Sequence, residues 1–308
     1  MRVMPLAAES LGVRSMATYV EVGDTAILID PGATLAPARY GLPPAEAEWE
    51  ALRRANDRIS AYAARANLVF VSHYHEDHYR SDPATYAGRT VVAKEPRRMV
   101  GGQQSRRGVA LWTSLDAVAR LEAADGWRRR EPHVELSVSP PLPHGVEGTP
   151  LGYVVALTVV DVAERQRFVF ASDVQGPLSA VAVGWLIQQR PTLLYLSGPP
   201  SYIERELPAG AVDRGIDHLV RVMDTTGCRV IMDHHALRDP GYSMRFERLW
   251  STGRVITAAA HLGVETMALE ARRRALWGGV RKAPVVARRP GAMIARTPRT
   301  FAKRGNAE

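Results

Sequence analysis

The sequence predicts an α/β layered fold with more than one β-sheet, and three observations carry that prediction. The 308 residues are 46% hydrophobic and 23% charged, ample apolar material for a core. Strand-like runs form hairpins near the start and in the middle of the chain. Later they alternate with helix-like segments, which calls for packed layers rather than a bundle or a barrel.

In chain order, Ala17–Val22 and Thr25–Ile29 are β-rich runs separated by Gly23 and Asp24, a short turn signal, and read as a hairpin. The second run ends in Asp30, Pro31 and Gly32. From Pro44 to Asn67, Trp49, Leu52, Ile59, Tyr62 and Ala66 recur at helical spacing among Glu and Arg, which predicts an amphipathic helix. Leu68–His73, LVFVSH, is a short apolar strand that runs straight into a histidine cluster. Further strands are expected at Thr90–Ala93, His133–Val138, Tyr153–Val160, Arg167–Ala171, Leu193–Leu196, Arg229–Met232 and Val255–Ala258. Helices are expected at Gly108–Ala124, Leu178–Gln189, Gly210–Thr226, Gly241–Trp250 and Ala260–Trp277. No repeat of fixed period and no internal linker divides the chain, so one domain with a basic tail is the simplest partition.

The formal net charge of +8 is unevenly placed. From Arg272 to Glu308 there are 11 Lys or Arg against one acid, which leaves 29 basic and 31 acidic residues upstream. The body is therefore close to neutral, and its charge does not mark it as a nucleic-acid binder. Cys228 is the one cysteine, so no intrachain disulfide can form. The first twenty residues lack the apolar run of a secretory signal. Leu151–Val160 and Leu178–Ile187 are about half of the ~20 residues needed to span a bilayer. These features predict a cytoplasmic protein without a membrane segment.

The chemistry lies in SHYHEDHY, Ser72–Tyr79, where His73, His75, Asp77 and His78 fall within six positions. Imidazole and carboxylate are ligands for zinc and similar ions, and alternate residues at a strand end project to one side while a following turn supplies two more. One short segment could thus feed two adjacent metals. A solvated polar loop is the plain alternative, yet three of the nine histidines crowd here directly after an apolar strand.

HYHEDH resembles the HxHxDH signature of the metallo-beta-lactamase superfamily. The other landmarks follow in order: Asp30 after the second strand, His144 in PLPHG, Asp173 in FVFASDVQG and His234 in RVIMDHH. The resemblance spans Asp30 to His235. The segments AESLGVRSMATYVE, ILIDPG, RYGLPP and MDHHALRD are also similar to an uncharacterised, mostly archaeal branch of that superfamily. What the resemblance implies is a four-layer αβ/βα sandwich of two mixed sheets flanked by helices, occupying residues 1–283, with 284–308 as a basic flexible tail. It implies that His73, His75 and His144 hold one metal, that Asp77, His78 and His234 hold a second, and that Asp173 bridges them. The cofactors would be two divalent ions, zinc first, with manganese or iron as alternatives. Asp77 and Asp173 would then be the catalytic carboxylates, and a hydroxide held by the two metals would attack an ester-like bond.

His235 competes with His234 for the last ligand position, and the resemblance, in which the ligand follows a strand and one acidic or hydroxyl residue, favours His234. His235 would then contact substrate or simply pack. An apolar strand followed by DHH is also similar to the DHH phosphoesterases, but the N-terminal DxDG-like loop of that family is missing. His133, His218 and His261 read as packed or exposed histidines; His261 is the one of the three to watch.

Two loops could recognise substrate. LSGPPSYI offers Ser197, Ser201 and Tyr202 at a strand end. ESLGVRSMAT offers Ser10, Arg14 and Ser15, with Arg14 suited to phosphate or carboxylate and a hairpin salt bridge as its alternative. Lys94, Arg97 and Arg98, with Gln103–Arg107, form a further basic patch.

The expectation is a cytoplasmic metallo-hydrolase, with phosphoester or nucleic-acid substrates slightly ahead of small esters, lactones and thioesters. A non-catalytic metal-binding protein that touches nucleic acid through its tail is the alternative from another class. The tail would add nonspecific attraction to polyanions, and no feature speaks to the oligomeric state.

Overall fold

The structure is a computed structural model that describes residues 1–278. The expected tail, 284–308, and the boundary at 283 lie outside the described residues.

The first sheet has six strands: β1 (Arg2–Pro5), β2 (Thr18–Val22), β3 (Thr25–Ile29), β4 (Leu68–Val71), β5 (Thr90–Ala93) and β6 (Arg120–Ala123), lying side by side in that order. β1, β2 and β3 run antiparallel as consecutive hairpins, and β3 to β6 run parallel. Parallel neighbours need crossovers. Those between β3 and β4 and between β5 and β6 hold helices α1 (Glu46–Ala63) and α2 (Gly102–Leu115).

The second sheet contains β7 (Arg128–Arg130), β8 (Val134–Val138), β11 (Leu157–Asp161), β12 (Gln166–Ala171), β13 (Leu193–Ser197), β14 (Arg229–Asp233) and β15 (Val255–Ile256), in the order β15-β14-β13-β12-β11-β8-β7. A small ladder of β9 (Leu142–Pro143) and β10 (Tyr153–Val154) stands apart. Helices α3 (Ala180–Gln189) and α4 (Ala211–Thr226) cross over between its parallel strands β12, β13 and β14.

Alternation along the strands makes the layers. In β4, Leu68 and Phe70 join the core between the sheets, together with Leu136 and Val159 of the second sheet. Val69 and Val71 face the other way and pack with Ala51, Ala55 and Ile59 of α1. In the second sheet Val169, Leu194 and Val230 pack against Val183 and Leu219 of α3 and α4. The result is helix, sheet, sheet, helix, the four-layer sandwich that the resemblance implies.

Several expected elements change. The helix expected at Gly108–Ala124 begins at Gly102 and stops at Leu115, and Arg120–Ala123 is instead strand β6, paired with β5. RLEA has no strong strand composition; the free edge of β5 supplies its partner. Gly241–Trp250 is two single turns, α5 (Tyr242–Arg245) and α6 (Glu247–Trp250), because the break at Phe246 drops that ring fully into the core. Ala260–Trp277 is a turn, α7 (Ala258–His261), and a short helix, α8 (Arg273–Gly278), joined by irregular chain that ties back through Met267 N–H to the Ser10 carbonyl at 2.7 Å. The strand expected at Tyr153–Val160 breaks into β10 and β11. Within α1 the buried stripe is Ala51, Ala55, Ile59 and Ala63, whereas Trp49 is 45% exposed. No helix of the described residues is long and apolar enough to cross a membrane.

Candidate metal centre

Both sheets deliver side chains from the carboxyl ends of their parallel strands, where loops are free to take special geometry. β3 ends at Asp30, β4 runs into Ser72 and His73, β12 into Asp173, and β14 into His234. Three non-glycine residues here, Asp30 (φ 44°), Gln175 (φ 55°) and His234 (φ 57°), take the left-handed conformation, which costs energy and is sustained only where surrounding contacts over-determine it. Gly32 is required by close approach, because a Cβ there would collide with the backbone of His78 and Tyr79.

The sequence-predicted ligands converge. Donor atoms of His73, His75, His144 and Asp173 lie within 4.8 Å of one another, and so do those of Asp77, His78 and His234. Asp173 touches both groups: its Oδ2 is 3.3 Å from His73 Nε2, 3.2 Å from His144 Nε2 and 3.6 Å from His78 Nε2. Its Oδ1 is 3.7 Å from His234 Nε2 and 3.9 Å from His235 Nδ1. His234 Nε2 is also 3.3 Å from His78 Nε2 and 3.6 Å from Asp77 Oδ2. His235 therefore sits near Asp173, while His234 sits with Asp77 and His78 as well.

Three of the imidazoles are held from behind, which settles the nitrogen that each turns to the cluster. His78 Nδ1 is 2.9 Å from Asp30 Oδ2, and Asp30 Oδ1 in turn accepts from Ser72 N–H at 2.7 Å. His73 Nδ1 is 2.9 Å from Ser72 Oγ. His234 Nδ1 is 2.7 Å from Glu9 Oε2.

Electrostatics follow from burial and crowding. Burial, helped by His78, pushes His73 down to about 4, and burial with His73 and His144 pushes His75 down to about 2. Both stay neutral, the form that ligates. Burial would also lower His78, but Asp173, Asp30 and Asp77 raise it to about 9. Burial would raise Asp77, yet His78, His234 and Arg238 hold it well below the usual carboxylate range.

His144 Nε2, Asp173 Oδ1 and His235 Nδ1 are buried without a hydrogen-bond partner. Such groups are costly unless something else satisfies them. A cation coordinated by nitrogen and oxygen does so, and the residues present fit divalent ions such as zinc.

The other expected contacts are more mixed. Tyr202 lies beside the cluster, its ring 6.4 Å from that of His235 and its hydroxyl 3.4 Å from Arg238 Nη1. Ser197 is fully buried and accepts from Gln175 N–H, so it supports a loop rather than facing solvent. Arg14, expected at substrate, donates twice to Glu270 at 2.6 Å, and this ion pair occupies its fork. Ser15 donates to the Gly32 carbonyl, and Ser10 N–H donates to Asp233, so both are structural. Lys94 belongs to no patch: it is fully buried and paired with Asp125 at 2.8 Å. His218 and His261 meet backbone carbonyls of Pro177 and Val3.

Sequence reasoning missed Glu9 and Arg238. Arg238 is 5% exposed; its Nε donates to Glu9 Oε1 at 2.6 Å, and its Nη2 is 3.1 Å from Asp77 Oδ2 and 3.1 Å from His234 Nε2. Its position four residues after His234 in a turn was a usable signal. Nothing local links Glu9 to His234.

This fold, with its strand-end cluster of histidines and aspartates, is that of the metallo-beta-lactamase superfamily. The chain belongs to the UPF0282 family: it is 41% identical to the UPF0282 protein of Thermococcus onnurineus over 290 residues, 90% of this chain and 95% of that one. It is 38% identical to the UPF0282 protein of Methanopyrus kandleri over 294 residues, 90% of this chain and 99% of that one. Among solved structures, zinc-bound PqqB from Methylobacterium extorquens aligns with TM-score 0.50 at 9% identity, over 83% of this chain and 98% of that one. A metal-dependent hydrolase of the beta-lactamase superfamily aligns with TM-score 0.50 at 13% identity, over 83% and 95%. These likenesses are of fold. No family model matches the chain.

Proposed function

We propose that the protein is a metal-dependent hydrolase of an ester-like bond, with a phosphoester as the first substrate class. The observation that carries the reading is Asp173, one buried carboxylate within reach of both histidine groups, with His73 and His144 at Oδ2, His234 at Oδ1 and His78 also at Oδ2. In this reading His73, His75 and His144 form one ligand set, Asp77, His78 and His234 the other, and Asp173 serves both. Two divalent ions, zinc first, would polarise the scissile bond and bring an attacking water to neutral-pH reactivity.

The chain's own residues supply position and charge. Asp30, Ser72 and Glu9 hold His78, His73 and His234 with the ligating nitrogen toward the cluster. Arg238, buried between Glu9 and Asp77, sets a positive charge beside the cluster, and Tyr202 and His235 lie on the same side. That positive charge beside the cluster supports an anionic phosphoester ahead of a neutral ester.

The test is turnover by zinc-reconstituted protein on phosphodiester, lactone and thioester panels, with Asp173→Asn as control. Turnover of a phosphodiester that Asp173→Asn abolishes is the expected result. Turnover confined to lactones or thioesters moves the substrate class, and turnover or metal content indifferent to Asp173→Asn removes the catalytic reading. Cytoplasmic location and polyanion contact by the basic tail belong to the same proposal.

A further inference from the structure

We infer that the two ligand sets bind metal unequally, and that Arg238 is the positioning residue that makes Asp77, His78 and His234 the weaker, exchangeable set. The inference rests on the two-set reading above.

Two of the three donors in that set share a close neighbour of the wrong sign. Arg238 Nη2 lies 3.1 Å from Asp77 Oδ2 and 3.1 Å from His234 Nε2. The guanidinium cannot swing away freely, because it is buried, its Nε donates to Glu9 at 2.6 Å and its Nη1 meets Tyr202. Arginine keeps its charge at any ordinary pH. Like charges in a partly dry setting repel strongly at such range.

The first set is free of this burden. Among the described residues no lysine or arginine forms an ion pair with Asp173, whose near partners are all histidines. Behind His73 and His144 stand Ser72 Oγ and Gln175 Nε2, which are neutral.

Glu9 offsets part of the Arg238 charge but does not cancel it where it matters. It meets the Nε edge of the guanidinium and Nδ1 of His234, while Nη2 lies over that ring, 3.1 Å from Nε2 and 3.4 Å from Nδ1. The ligand atoms therefore meet the positive end of the Glu9–Arg238 pair first. A centre built this way keeps one metal firmly and takes the other according to the metal supplied.

The experiment is zinc titration of the full chain by equilibrium dialysis with metal analysis, which needs no substrate. Wild-type protein should fill in two steps separated by about tenfold or more in affinity. Arg238→Met, which removes the charge and keeps the bulk, should tighten the second step by about tenfold and leave the first within about twofold. Glu9→Gln, which leaves Arg238 uncompensated, should weaken the second step alone. An unchanged gap in Arg238→Met, or equal movement of both steps, overturns the inference and reduces Arg238 to a structural tie; if that variant fails to fold, Arg238→Gln, which also removes the charge, is read in the same way. Two unequal steps without turnover of any ester would leave this inference standing and remove the hydrolase reading.

Discussion

Asp30 Oδ2 lies 2.9 Å from His78 Nδ1, across 48 positions of sequence. The carboxylate is fully buried at a left-handed backbone position, and it fixes both the tautomer and the ring plane of a histidine in the second ligand set. Asp30→Ala should lower metal affinity or turnover by about 10- to 100-fold, the usual loss when such a partner is removed. Metal content after dialysis and kcat on the best panel substrate measure it; Asp30→Ala protein with wild-type values of both would show that His78 needs no such support.

His234 and His235 should separate cleanly. His234 sits within reach of Asp77, His78 and Asp173, whereas His235 reaches Asp173 alone among these carboxylates. His234→Gln should lose the second metal equivalent. His235→Gln should retain both and change KM, and the reverse pattern would exchange their roles.

Zinc uptake by the second set should depend on pH. His78 is raised to about 9 by Asp173, Asp30 and Asp77 against the opposing effect of burial, so below that pH it carries a proton that a ligand must give up. In the protein without metal, that raised value stabilises the fold fully below about 6.5 and the contribution is lost as pH climbs through about 9. Metal binding runs the other way: affinity at this set should rise by about tenfold per pH unit toward 9. Isothermal titration in buffers of different protonation enthalpy would reveal the released proton.

Removal of metal should also lower the melting temperature. His144, Asp173 and His235 are buried, and a chelated protein leaves His144 Nε2, Asp173 Oδ1 and His235 Nδ1 without a partner. Chelator should reduce Tm and zinc should restore it, whereas Asp173→Asn should show a smaller response.

Arg273 and Glu48 form a fully buried ion pair with an Nη2 to Oε1 distance of 2.7 Å, which pins α8 to the start of α1. Glu48→Ala leaves a guanidinium uncompensated and should cost about 3–5 kcal/mol by urea unfolding. The fold is thus tied down before residue 279. Ending the chain after Ala283 should leave metal content and small-substrate turnover intact and remove salt-sensitive binding to polyanions.

By itself the sequence determined the strand-end histidines and aspartates, the hairpin of β2 and β3, and the strands from β4 to β14 that alternation or apolar runs mark. These are local properties: a cluster residue such as His75 follows its strand within a few residues, and a core strand such as Leu68–Val71 is written in its own side chains. Edge strands escaped because Arg120–Ala123 and Arg128–Arg130 are polar, and only a neighbour's unpaired backbone makes them strands. Tertiary structure alone decided that Arg14 is spent on Glu270, that Arg238 reaches Asp77 in the cluster, and that Glu9 stands behind His234 from 225 positions away. Those relationships arise when two sheets close on each other and bring distant loops to one edge. Spacing along the chain carries no record of that closure.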